Sequence, residues 1–162
     1  MALSQDHPRL PTRRRYDSLQ QQAFLELWKT YDRLKALETE LFALYDLTAQ
    51  QYNALRVLRG CHPNSMPTLA VAARLVTQAP DITRLLDKLA LRNLIQRERL
   101  PENRRVVQVG ITEQGLGLLD ELDEPVRECH RRQLGHLSQE QLKQLTTLLE
   151  AARAPHEEPP LS

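Results

Sequence analysis

The segment from Pro67 to Thr112, PTLAVAARLVTQAPDITRLLDKLALRNLIQRERLPENRRVVQVGIT, decides how this chain folds, because two short helical patterns and a basic hairpin follow one another in it without spare residues. In Pro67–Val76, Leu69, Ala72, Ala73 and Val76 recur at helical spacing behind a proline suited to a first turn. Thr77 is placed to cap a second helix whose stripe of Ile82, Leu85, Leu86, Leu89 and Ala90 faces inward. Gln78, Asp81, Thr83, Arg84 and Lys88 then point outward. Asn93 stands where a left-handed residue would end that helix, a state asparagine tolerates.

Beyond Asn93 the pattern changes to strands. Leu94–Leu100 and Arg105–Ile111 alternate or are rich in β-branched residues, and Pro101-Glu-Asn-Arg104 between them is turn chemistry. Thr112 opens the next helix as N-cap, with Glu113 favourably placed in its first turn. Two short helices followed by an arginine-bearing hairpin read as a winged helix-turn-helix, with residues 78 to 92 as recognition helix.

The run Leu94-Ile-Gln-Arg97, the run Pro101-Glu-Asn-Arg-Arg-Val-Val-Gln-Val-Gly-Ile-Thr-Glu-Gln-Gly115 and the later His136-Leu-Ser-Gln-Glu-Gln-Leu142 resemble the wing and the start of the last helix of the MarR family of bacterial transcriptional regulators. The resemblance spans residues 18 to 153. It departs from the family pattern at Asn103, where an aspartate paired with the wing arginine is usual, at Asn93, where glycine is usual, and at Pro80, early in the recognition helix. It implies a homodimeric, sequence-specific DNA-binding regulator of a pseudo-palindromic operator, a repressor released by a small lipophilic or phenolic ligand.

Composition agrees with a single helical domain. Leucine dominates, aromatics are 4% of residues, and the net charge of +1 conceals an uneven distribution. Residues 65 to 105 hold eight Lys/Arg against four Asp/Glu, whereas residues 106 to 162 hold five against ten. The positive segment coincides with the expected DNA reader. No apolar run approaches the ~20 residues of a membrane span and no leader pattern opens the chain, so a cytoplasmic protein without membrane contact is expected. Cys61 and Cys129 are too few and too separated for a disulfide framework or metal knuckle and read as small apolar fillers.

Residues 1 to 16, ending near Arg13-Arg-Arg15, read as a flexible basic arm; a solvated tail and an extra phosphate contact compete there. A single domain follows over residues 17 to 153, with the winged motif about 47 to 112 and dimerisation helices about 17 to 45 and 113 to 153. Asp17 and Gln20 pattern as a capping box for the first helix, whose Phe24, Leu27, Trp28, Tyr31, Leu34, Leu37, Leu41 and Leu44 form a stripe too long for one small core. Thr48 caps a second helix carrying Tyr52, Leu55, Val57 and Leu58 and ending at Gly60, and Cys61–Met66 is a turn-rich link in which His62 has no partner at metal spacing. Leu116, Leu118, Leu119, Leu122, Val126 and Cys129 mark a fifth helix bent at Pro125, and Ser138–Gln141 is a capping box for a last helix with Leu142, Leu145, Leu148 and Leu149 on one face. Residues 154 to 162 read as a disordered tail.

Enzyme signatures are absent: no phosphate-binding glycine loop, nucleophile elbow or zinc-spaced histidine pair occurs, and neither cofactor nor metal is expected. The DNA-contacting candidates are Thr77, Gln78 and Ala79 at the helix start, Asp81, Thr83, Arg84 and Lys88 along it, and Arg104 and Arg105 on the wing. Asp81 reads either as an acceptor for cytosine or as a residue that favours the helix dipole. The resemblance places a ligand crevice near Tyr31, Leu34, Tyr52, Arg56 and Leu116. A helical protein–protein adaptor whose winged fold no longer reads DNA is the alternative, suggested by Asn103, Asp81 and Pro80.

Overall fold

The computed structural model describes residues 16–157, the side chain of Arg104 apart. In chain order its elements are α1 (Leu19–Ala43), α2 (Ala49–Arg59), β1 (Met66–Pro67), α3 (Thr68–Arg74), α4 (Ile82–Leu91), β2 (Ile95–Leu100), β3 (Asn103–Ile111), α5 (Glu113–Leu134) and α6 (Gln139–Arg153), followed by a 3₁₀ turn at Ala154–His156. The mainly helical class with a small β wing is the one expected. Of the arm expected over residues 1 to 16 all but Tyr16 lies outside the described residues, as does the end of the tail.

The described residues divide into two compact units, residues 16–35 and 36–157. In the first, the Ser18 hydroxyl accepts from the Gln21 amide at 3.0 Å, and the Gln21 side chain returns to the Asp17 amide at 2.6 Å. The cap is therefore Ser18, not the expected Asp17 with Gln20. The serine hydroxyl sits three residues before an amide that needs a partner, which is the spacing the pairing requires. Phe24, Leu27, Trp28 and Tyr31 are exposed along one face of α1, with the Phe24 and Trp28 rings 6.1 Å apart.

In the second unit the core gathers Phe42, Leu55, Leu58, Val71, Leu86, Leu89, Val109, Ile111, Leu119 and Leu122 from the end of α1, from α2 to α5 and from the sheet. Phe42 stacks on Tyr52 at 4.5 Å between ring centroids. Thr48 caps α2 and Gly60 closes it, as the pattern predicts, and the Gln51 side chain completes a reciprocal capping box. Ser138 and Gln141 do the same for α6, and the Thr112 side chain caps α5. Helix α5 continues through Pro125 and buries Leu119, Leu122, Val126 and Cys129, whereas α6 buries none of its residues.

The sheet is antiparallel in the order β1-β3-β2, pairing Met66 with Val109 and Ile95 with Ile111. Leu100 pairs with Asn103 across a turn of only Pro101 and Glu102, so Asn103 and Arg104 belong to the strand and not to the longer turn expected. Strand β1 was not legible as a strand, since two residues, one of them proline, carry no alternation.

That small strand also corrects the phase of α3. Leu69 and Val76, expected inward, are 80% and 85% exposed, and the buried residue is Val71, with Leu75 half-buried. Leu69 to Ala73 are all apolar, so every helical phase fits the pattern equally. Pairing of Met66 with Val109 buries Met66 and sets the entry angle, which turns Val71 to the core.

Candidate nucleic-acid interface

Helix α4 has the amphipathic form that the sequence predicts. Leu85, Leu86 and Leu89 are buried beneath it, Ile82 and Ala90 are half-buried, and Thr83, Arg84 and Lys88 are exposed. Its start differs. The N-cap is Asp81, whose Oδ1 accepts from the Arg84 amide at 2.9 Å, and Thr77, Gln78 and Ala79 lie in the link before the helix. Pro80 is the reason: its ring disfavours helical backbone in the residue before it, so Ala79 cannot continue a helix opened at Thr77. The first-turn amides expected of Thr77, Gln78 and Ala79 are those of Ile82 and its successors.

The link is held from α2. The Asn53 carbonyl oxygen of its side chain accepts from the Val76 amide at 2.9 Å, and the Gln50 side-chain amide reaches the Thr77 hydroxyl at 3.4 Å and the Gln78 carbonyl at 3.5 Å. These two residues were not singled out from sequence, because a contact across more than twenty residues leaves no local periodic trace. Asp81, with one carboxylate oxygen on the Arg84 amide, is a capping residue. That use fits the dipole reading and leaves less of the carboxylate for a base edge.

Two grooves flank α4. Arg84 and Lys88 share one with Thr48, Gln50, Pro80 and Asp81. Thr83 shares the other with Thr68 and Leu69 of α3 and with Arg97 and Arg105 of the hairpin. The wing is tied to the helix by an ion pair between Arg97 Nη1 and Asp87 Oδ1, a second feature the sequence did not disclose. Arg97 Nε is buried without a hydrogen-bond partner. Asn103, where an aspartate was the usual residue, accepts from the Arg105 amide through its side-chain oxygen at 3.2 Å, so it braces the strand backbone while the Arg105 side chain stays exposed. The Arg104 side chain lies outside the described residues.

The residues expected at a ligand crevice fall in both units and are described within each. Tyr31 is exposed and Leu34 half-buried on the first unit's stretch of α1. In the second unit Tyr52 is part of the core, its hydroxyl pushed above the ordinary tyrosine value by burial, Leu116 packs half-buried against the same core, and Arg56 is exposed. Arg59 forms a two-pronged bond to Asp123 of α5 at 3.0 and 3.3 Å, which holds the Asp123 carboxyl below its ordinary value. Cys129 is buried, its thiol raised by that burial, and no group of three metal-ligating side chains occurs among the described residues. No helix of the described residues is long and apolar enough to cross a membrane.

Against known proteins, the MarR family pattern matches residues 47–107. The chain is 33% identical over 123 residues to the HTH-type transcriptional repressor NicR of Pseudomonas putida, covering 76% of each protein. This chain belongs to the MarR family. A MarR transcription factor from Planctomyces limnophilus, known from a crystal structure, is 58% identical, with a TM-score of 0.69 over 85% of this chain and 99% of that one. A mutant MarR from E. coli crystallised with operator DNA shares the fold, with a TM-score of 0.72 at 20% identity over 81% of this chain and 93% of that one. The protein is accordingly a DNA-binding transcriptional regulator, and its MarR-family winged motif is the region centred on α3, α4 and the β2–β3 hairpin.

Proposed function

We propose that the protein is a homodimeric repressor that places α4 of each subunit in successive major grooves of a pseudo-palindromic operator, with each β2–β3 hairpin against the flanking minor groove. The observation that carries this reading is the exposed row Thr83, Arg84 and Lys88 above a fully buried leucine face, with Arg105 across the adjoining groove. Arg84 is the residue suited to a guanine edge and Lys88 to a phosphate. The same row argues against the adaptor alternative, since a basic, polar helix face is poor material for the apolar centre of a protein interface. An electrophoretic shift on the DNA upstream of the protein's own gene, repeated with Arg84→Ala, tests it: a sequence-specific complex is expected, and no complex at low salt removes the reading.

Release by a small lipophilic or phenolic ligand is the regulatory part of the proposal. A ligand releases DNA only when it favours the conformer that does not bind DNA, so calorimetric titration must show weaker ligand binding to the DNA complex than to the free protein.

A further inference from the structure

The C-terminal end of α4 carries a knot of hydrogen bonds that DNA reading itself does not use. Arg92, which caps α4, extends to the turn that closes α1: Nη1 donates to the Asp46 carbonyl and Nη2 to the Tyr45 carbonyl at 3.1 Å, with the Asp46 carboxylate 4.0 Å away. Tyr45 and Asp46 lie in the turn beyond Ala43, where no helical ladder supplies donors to their carbonyls, and the planar guanidinium fork reaches both at once. The start of α5 in turn holds Arg92 and Asn93. The Thr112 hydroxyl donates to the Asn93 carbonyl at 2.7 Å, and the Gln114 side chain donates to the Arg92 carbonyl and accepts from the Asn93 side-chain Nδ2, both at 3.3 Å.

Two further observations mark this spot. Among the described residues, the non-glycine positions with positive φ are Asp46 at 52° and Asn93 at 54°, one on each side of Arg92's reach. A left-handed backbone is unfavourable for residues with a Cβ, and aspartate and asparagine are among those that bear it best. The first turn of α5 also lies hard against the residue after the knot: a Cβ built on Gly115 would stand 2.2 Å from the Leu94 carbonyl oxygen. Helix α4 therefore cannot swing at its C-terminal end without breaking bonds to the end of α1 and the start of α5 together.

We propose that Arg92 is a positioning residue: it fixes the recognition helix to the two long helices, so that the arrangement of the dimer sets the separation at which two half-sites are read. This rests on the homodimeric operator reading above. Loss of the fork leaves the buried leucine face of α4 in place, so one half-site is read as before. Two half-sites at a fixed separation are then no longer matched at once, and the gain from joining two contacts falls.

The test uses full-length protein and a duplex selected by it from a random library, resynthesised with its half-sites moved by one or two base pairs and, separately, with one half scrambled. The wild type is expected to lose ~10-fold or more on a changed spacing, because the second contact then fails. Arg92→Gln is expected to flatten that profile to less than ~3-fold while holding scrambled-half affinity within ~2-fold of wild type, since only the joined contact is weakened. Arg92→Lys, one charge without the planar fork, falls between them. Gln114→Ala attacks the knot from α5 and is expected to flatten the profile too, which keeps the test valid where Arg92→Gln does not fold. A sharp profile retained by these variants, or an equal loss on full and scrambled sites, overturns the role of Arg92 and leaves the operator reading intact. A wild type indifferent to spacing overturns both.

Discussion

At the scale of single residues, Gly115 shows how close packing dictates a residue type without a special backbone angle. Its missing side chain admits the Leu94 carbonyl oxygen and Ile111 Cγ1, which a Cβ would meet at 2.2 and 2.7 Å. The nearer atom is backbone in a segment held by the sheet, so it cannot yield as a flexible side chain would. Gly115→Ala is therefore expected to lower stability by ~1–3 kcal/mol, the range for overpacking a filled site, although alanine is the better helix former. Thermal denaturation measures it, and an unchanged or raised melting temperature contradicts the close approach. Asp123 gives a pH-dependent counterpart. Arg59 holds its carboxyl below the ordinary value, so the bond's stabilisation is present above that ordinary value and disappears as pH falls through the lowered one. Asp123→Asn should consequently lose melting temperature at neutral pH and differ less from wild type in strong acid. A gap between the two proteins that widens on acidification would contradict the assignment.

At the scale of elements, the proposed reading divides the DNA work between helix and wing, and each would have its own signature in binding. Arg105, exposed near the turn of the β2–β3 hairpin, is placed in that reading for a minor-groove or phosphate contact, whose contribution is electrostatic. Arg105→Ala should weaken binding to all sequences and reduce the slope of affinity against salt by about one counterion per wing, whereas Arg84→Ala should cost ~1–3 kcal/mol at one base position of each half-site. Titrations across a salt series separate the two, and a variant at Arg105 with an unchanged slope shows the wing to be structural. How much of these elements can be read from sequence follows from the range of the forces involved. The α4 stripe, the Thr48, Thr112 and Ser138 caps, the left-handed Asn93 and the hairpin rest on neighbours within a few residues, and all were legible, the hairpin with a turn two residues too long. The α3 phase was not, because five successive apolar residues fit any rotation and a two-residue strand decided among them. The helix start at Asp81 was displaced by one proline whose local effect competes with a good threonine cap. Asp87 with Arg97, and Arg92 with Tyr45 and Asp46, are pairs made only by the fold, and nothing in the intervening sequence announces them.

At the scale of the whole molecule, the uneven charge and the uncovered apolar faces belong to the same argument. The basic excess falls on the residues of the reader and the acidic excess on residues 106 to 162, so the local charge that suits phosphate lies on the winged motif. The apolar faces need another occupant: Phe24 and Trp28 are 62% and 61% exposed on α1, and Leu148 of α6 is 68% exposed. Contiguous bare aromatic and leucine surface is unfavourable in water, and a second copy of the chain offers identical faces to cover it. Trp28→Glu places a charge in the stripe and should convert a dimer into a monomer at micromolar concentration, read by light scattering. The consequence for DNA follows from the linkage of the two readers. In a dimer the second half-site is met at an effective concentration set by the connection and not by the bulk solution, so avidity exceeds that of one reader by ~10²–10⁴-fold. The variant should therefore bind a full operator little better than a half-site, with its single-reader affinity retained because α4 and the hairpin lie far along the chain from residue 28. If wild type is monomeric with intact helicity, the two-half-site operator has no basis; if Trp28→Glu is monomeric yet binds the full operator as wild type does, the apolar face of α1 serves something other than DNA recognition.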